Sequence, residues 1–221
     1  MKLEIIDEQI LLFKFKKVKD IALTFFRVQE YYESQNENLI GKRFTVFDFI
    51  EQSMDKEGFI PYFYSWTGFN IPGHIFDEWY NLYKYIELTT YEVQLGHCVR
   101  ENAPRDKPYY VIASLHKDKQ TIDHEMAHAL FYLNEEYKHI MEGLVSTFRF
   151  YYPENYKILC KYLKELGYNK LVYVDEIQAY LATERIKELK EPDDFNLKMS
   201  KDFRKLIKSF RNTLKEYNTL S

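Results

Sequence analysis

In the pentapeptide His124-Glu125-Met126-Ala127-His128, residue types and spacing point directly at chemistry. Side chains four apart on a helix stack on one face, so both imidazoles reach a single metal ion. Glu125, about 100° around the helix, meets a water beside that ion as a general base. With six histidines in 221 residues, chance supplies this pattern roughly 0.016 times. The competing interpretation is a pair of surface histidines beside an incidental glutamate. Ile122, Met126, Ala129, Leu130 and Leu133 give the same segment an apolar side, as a packed helix requires.

A catalytic zinc takes three protein ligands and leaves one position open. His139, eleven residues beyond His128, would stand roughly 16 Å along a continuous helix, and Glu135 and Glu136 roughly 10–12 Å, too far for a metal bond of about 2 Å. The better source is Val174-Asp175-Glu176-Ile177-Gln178-Ala179-Tyr180-Leu181-Ala182. There Glu176 sits in the first turn of a separate helix, Ala179 keeps its face shallow, and Tyr180 projects from the same side. Asp175 is the substitute ligand, and a dipole-favoured surface acid is the plain alternative for Glu176. Hydrolysis also calls for a donor to a developing oxyanion; Tyr180 is the candidate, set against ordinary packing. Asp123 suits a helix cap or a contact to a ligand better than metal binding.

His-Glu-x-x-His followed by a separate helix with Glu-x-x-Ala resembles the gluzincin branch of the zincin metallopeptidases, over about residues 109–189. The resemblance implies Zn²⁺ held by His124, His128 and Glu176, Glu125 as general base, and a peptide or protein as substrate. The segment after His128, ALFYLNEEYK, lacks the Gly-x-x-His that would bring a third histidine. Glu176 follows His128 by 48 positions, and the stretch between them contains no thermolysin-like Asn-Glu-x-x-Ser-Asp block.

These side chains must be positioned by a scaffold, and the sequence predicts an α+β fold, mostly helical, with a small antiparallel or mixed sheet in the first half. Lys2 to Ile6 and Ile10 to Lys16 read as a hairpin, and Asp20 as the cap of a helix to Tyr32. Thr45 to Lys56 is predicted helical, Phe59 to Trp66 a strand, and Gly68 to Gly73 a connecting loop or substrate rim. A helix from Ile75 to about Gln94 carries a possible break at Thr89-Thr90. Tyr109 to Leu115 is the most strand-like run and is expected to offer an open edge to an extended substrate. Helices follow: Thr121 or Asp123 to Leu133, Glu135 to Phe150, Pro153 to Gly167, Val174 or Asp175 to Lys190, and Ser200 to Tyr217. The expectation is one domain, 1–221, with a sheet-bearing part (1–108), a zinc-site region (109–190) and an amphipathic helix (195–221). That last segment carries seven Lys/Arg against two Asp/Glu. Docking of its apolar face on the core is expected over membrane or partner binding.

Composition narrows the field. Glycines at 41, 58, 68, 73, 96, 143 and 167 provide neither GxGxxG nor a P-loop, and no serine sits in a Gly-x-Ser-x-Gly elbow. A net charge of −3 gives no long-range pull on nucleic acid or acidic membrane. No apolar run approaches a membrane span. Two cysteines, Cys98 and Cys160, make no disulfide framework, so a cytoplasmic setting is expected, with leaderless secretion open. A thiolate at His97-Cys98 masking the metal is weaker than a half-buried free cysteine. The rivals to a peptidase are a zincin fold kept as a non-catalytic binding or regulatory module, and a toxin or effector that cleaves one partner. Glu125 argues against the first, since a scaffold has no use for a base.

Overall fold

The computed structural model describes residues 1–34, 36–85, 87–166, 168–183 and 201–218. Gly167, the expected stop of one helix, and the stretch from 184 to 200, including the expected end of another, lie outside them. The fold is α+β and mostly helical. The chain divides into two compact units, Met1–Glu125 and Met126–Ser221, and the division falls within one continuous helix. Among the described residues, no helix is long and apolar enough to cross a membrane.

The first unit is built on a mixed four-stranded sheet. Strands β1 (Lys2–Ile6) and β2 (Ile10–Phe15) form the expected hairpin. Its turn is tight enough to hold Asp7 and Glu8 at positive φ. Helix α1 (Val18–Glu33) starts three residues earlier than expected, after Lys17, so Asp20 is a first-turn acid that favours the helix dipole and not the cap. Helix α2 (Val46–Ser53) begins at a reciprocal capping box between Thr45 and Asp48, and α3 (Tyr62–Ser65) is a single turn.

Here the prediction inverts: Phe59 to Trp66 contains a helical turn, and the expected loop is strand β3 (Gly68–Pro72). Phe49 takes both Tyr62 and Phe63 as ring partners, which a turn of helix permits and a strand, with neighbours on opposite faces, does not. Phe69 and Ile71 alternate into the core as a strand requires, hidden in sequence by Gly68, Asn70 and Pro72.

Helices α4 (Gly73–Tyr83) and α5 (Thr90–Asn102) separate at the anticipated break, where Thr89 and Glu92 form a second capping box. Strand β4 (Tyr110–Leu115) then enters the sheet, whose order is β1-β2-β4-β3. It pairs parallel with β2 and antiparallel with β3. Both of its edges are therefore occupied, and the expected open edge along Tyr109 to Leu115 does not exist. The strand entirely buried in composition is the interior one, and β3 takes the edge.

One sheet face places Leu11, Phe13, Phe15, Phe69, Ile71, Val111 and Ala113 in a core with Phe25, Phe76 and Trp79. A smaller aromatic cluster joins Phe26, Leu39, Phe44 and Phe49. Arg27, fully buried, forks onto Glu92 through Nε and Nη2 at 2.6 and 2.5 Å.

Helix α6 (Lys119–Leu133) also begins earlier than expected. Asp118 accepts from the Thr121 amide at 3.1 Å and so caps the helix, leaving Asp123 in its second turn, where burial raises its carboxyl above the usual range.

In the second unit, α7 (Glu135–Tyr151), α8 (Pro153–Leu166), a 3₁₀ turn at Lys170–Val172, α9 (Tyr173–Thr183) and α10 (Lys201–Tyr217) enclose another core. It contains Ala127, Tyr137, Met141, Phe148, Leu163, Ile177 and Ala179. Ile207, Phe210 and Leu214 of α10 are buried in it, so the basic C-terminal helix docks by its apolar face.

Candidate functional site

His124, Glu125 and His128 share α6, with the register that the motif demands. Among the described residues, His124, His128 and Glu176 form a group able to hold a metal, one ligand atom from each lying within 4.8 Å of the others. His128 Nε2 and Glu176 Oε1 are 3.7 Å apart. Two ligands at about 2.1 Å from a tetrahedral ion stand about 3.4 Å apart, so this pair needs only a small adjustment. His124 is half-buried; His128 and Glu176 are 2% and 3% exposed. A buried carboxylate beside two imidazoles is a donor set of the kind that divalent metals of intermediate softness prefer.

Asp175, the alternative ligand by sequence, lies elsewhere in the arrangement. Its Oδ1 is 2.9 Å from His128 Nδ1, the ring nitrogen that faces away from Glu176. It also accepts from Gln178 Nε2 at 2.9 Å, and Gln178 in turn accepts from the Tyr137 hydroxyl at 2.9 Å and donates to the Ala127 carbonyl at 3.3 Å. The contact of Asp175 with His128 Nδ1 is an ion-pair approach outside hydrogen-bond alignment, and a carboxylate at this nitrogen favours the tautomer with the proton on Nδ1 and the lone pair on Nε2. Gln178 is fully buried and burial raises the Tyr137 hydroxyl's pKa, so the inner part of this chain is shielded, while Asp175 at its outer end is partly exposed.

Glu125, 6% exposed, is confined by β3. Asn70 Nδ2 donates to Glu125 Oε2 at 2.9 Å, and Tyr110 OH donates to Asn70 Oδ1 at 2.8 Å. Gly68, two residues before Asn70 on the same strand face, abuts Glu125 Oε1 so closely that a Cβ there would collide with it.

No protein-family model, curated protein or solved structure matches this chain. The site therefore rests on its own geometry.

Of the remaining candidates, Tyr180 packs against the second core and meets Tyr162 edge-on at 5.9 Å. His139 is exposed. His97 pairs with Glu101 at 3.3 Å on the surface of α5, while Cys98 packs against the first core. Sequence reasoning missed Asn70, Tyr110, Gln178 and Tyr137. Asn70 and Tyr110 belong to neighbouring strands, and only the β3–β4 register brings them together. Gln178 had a sequence signal, since it follows Asp175 by three residues on a helix.

Proposed function

We propose that this chain is a zinc-dependent peptidase of the gluzincin kind, with His124, His128 and Glu176 holding the metal. The carrying observation is the grouping of these three side chains from separate stretches of sequence, with Glu125 adjacent on the same helix. Bound there, zinc would supply Lewis acidity, lowering the pKa of a bound water toward about 7 and polarising a carbonyl oxygen. The single negative charge of Glu176 would offset half the charge of a divalent ion held there.

Glu125 takes the proton of the attacking water as its oxygen bonds to the carbonyl carbon. It returns that proton to the amine nitrogen as the C–N bond breaks. Asp175, 2.9 Å from His128 Nδ1, would favour the tautomer that leaves Nε2 to a bound metal.

A peptide substrate is favoured by β3. Among the described residues its only strand partner is β4, and Gly68 and Asn70 on this edge strand adjoin Glu125. An extended backbone added to that edge would pass close to the base.

The test is purification without chelator, metal analysis and digestion of a diverse peptide library. About one zinc per chain and cleavage are expected. Glu125→Gln should keep the zinc and lose turnover by about 10²–10⁴ or more, the share of a general base. A zinc-loaded wild type that cleaves nothing across the library sinks the enzymatic reading.

A further inference from the structure

We infer that Asn70 is the positioning residue for Glu125 and that Tyr110 sets its amide. This inference rests on the proposed function. Charge dictates the orientation of the bonds: a carboxylate accepts, so the Asn70 NH₂ must face Glu125 Oε2 and its carbonyl must face away. The Tyr110 hydroxyl donates to that carbonyl at 2.8 Å, and a flipped amide would set two acceptors against each other at Glu125 while leaving an NH₂ at Tyr110. The three groups thus form one directed chain, Tyr110 to Asn70 to Glu125.

The strand makes the direction rigid. Asn70 pairs with Ile112 and Pro72 with Tyr110 in the antiparallel register, so the amide and the phenol project from neighbouring strands of one sheet face. Gly68 lies on that same face, and its missing side chain is what admits Glu125 Oε1; an added Cβ would fall on this oxygen and on Thr121 Cγ2. One carboxylate oxygen is held by a hydrogen bond and the other is bounded by backbone. A Gly-x-Asn stretch that reads as a turn therefore serves as a mould for the base. Its effect is on where Glu125 points, which matters because proton transfer demands hydrogen-bond reach to the water.

The test uses the full-length protein, loaded with Zn²⁺ or Co²⁺, and acetohydroxamic acid as probe. This probe gives up its hydroxyl proton on chelation and so calls on an oriented base without requiring turnover; binding is read from the cobalt absorption spectrum. Asn70→Ala, and Asn70→Leu as a shape-preserving neutral variant should alanine fail to fold, are expected to retain metal and melting temperature. Both should lose about ten- to hundredfold in hydroxamate affinity and in kcat, with KM little changed, the range expected for one bond to a charged group. Tyr110→Phe should show a smaller loss, and Asn70→Ala should add nothing in a Glu125→Gln background. Asn70→Leu that binds the probe as tightly as wild type, or that loses metal and cooperative melting, overturns the inference. Failure of wild type to bind zinc overturns the proposed function and this inference together. Zinc and probe binding that is indifferent to Asn70 overturns this inference alone.

Discussion

At the scale of the residue, the two adjacent acids on α9 have different surroundings. Glu176 presents an oxygen to His128 Nε2, and Asp175 sits on His128 Nδ1. Their neutral amides should therefore behave differently. Glu176→Gln replaces a charged donor atom by a weak one and is expected to abolish stable zinc retention. Asp175→Asn leaves the ligand set intact and should weaken affinity by about 10–100-fold, the usual cost of disturbing a ligand's hydrogen-bond partner. Competition with a chelator of known affinity measures both, and equal losses would erase the distinction. The sequence made His124, Glu125, His128 and Glu176 visible because i, i+4 spacing and an acid at a helix start are local patterns. Asn70 was invisible for the opposite reason, since nothing within ten residues of it indicates that a carboxylate 55 positions later will be its partner.

At the scale of the element, the junction of α4 and α5 illustrates how one side chain can serve two structures. Glu92 accepts from the Thr89 amide at 2.7 Å to close the capping box, and it also receives the fork of Arg27 from α1. Thr89→Ala removes only the cap and should cost about 1 kcal/mol. Arg27→Met strands a buried carboxylate, and a loss of about 3–5 kcal/mol is expected in urea unfolding. Replacing both partners, Arg27→Met with Glu92→Leu, should recover much of it; no recovery would mean that the cap depends on the acid more than the ion pair does. The break at Thr89 was legible because capping chemistry is local. The α3–β3 segment was misread because turn-forming residues outweighed weak periodicity: Gly68 and Asn70 are shaped by Glu125, and Pro72 sits where β3 ends. The open edge assigned to β4 failed for a different reason. Strand propensity says that a segment is in a sheet, and its lack of polar alternation, YVIASL, is the trait of an interior strand.

At the scale of the whole molecule, Glu4 is a local source of acid sensitivity, beside the more exposed Glu8 and Asp48, whose carboxyls are also lowered. Lys14 and Lys2 hold Glu4 on β1 down to about 2, chiefly through the Lys14 hydrogen bond, from an ordinary 4.5. The folded state thus binds the proton less readily than the unfolded chain, and the pair's stabilisation is present above pH 4.5 and lost as pH falls toward 2. Because Glu4 is about a third exposed, solvent screening limits the effect to about 1 kcal/mol or less. Urea midpoints of wild type and Glu4→Gln should differ at pH 6 and converge near pH 2. The same hairpin has a further consequence during synthesis. The β2–β4 pairing joins Ile10 to Tyr110, so the segment ILLFKF leaves the ribosome about a hundred residues, roughly 5–20 s, before the strand that covers its inner edge. Through that interval it is an apolar template for any other extended chain, interrupted only by Lys14. Lys14 is thus a gatekeeper of the nascent chain as well as a partner of Glu4. Lys14→Val should raise light scattering on refolding by far more than its effect on the urea midpoint would account for.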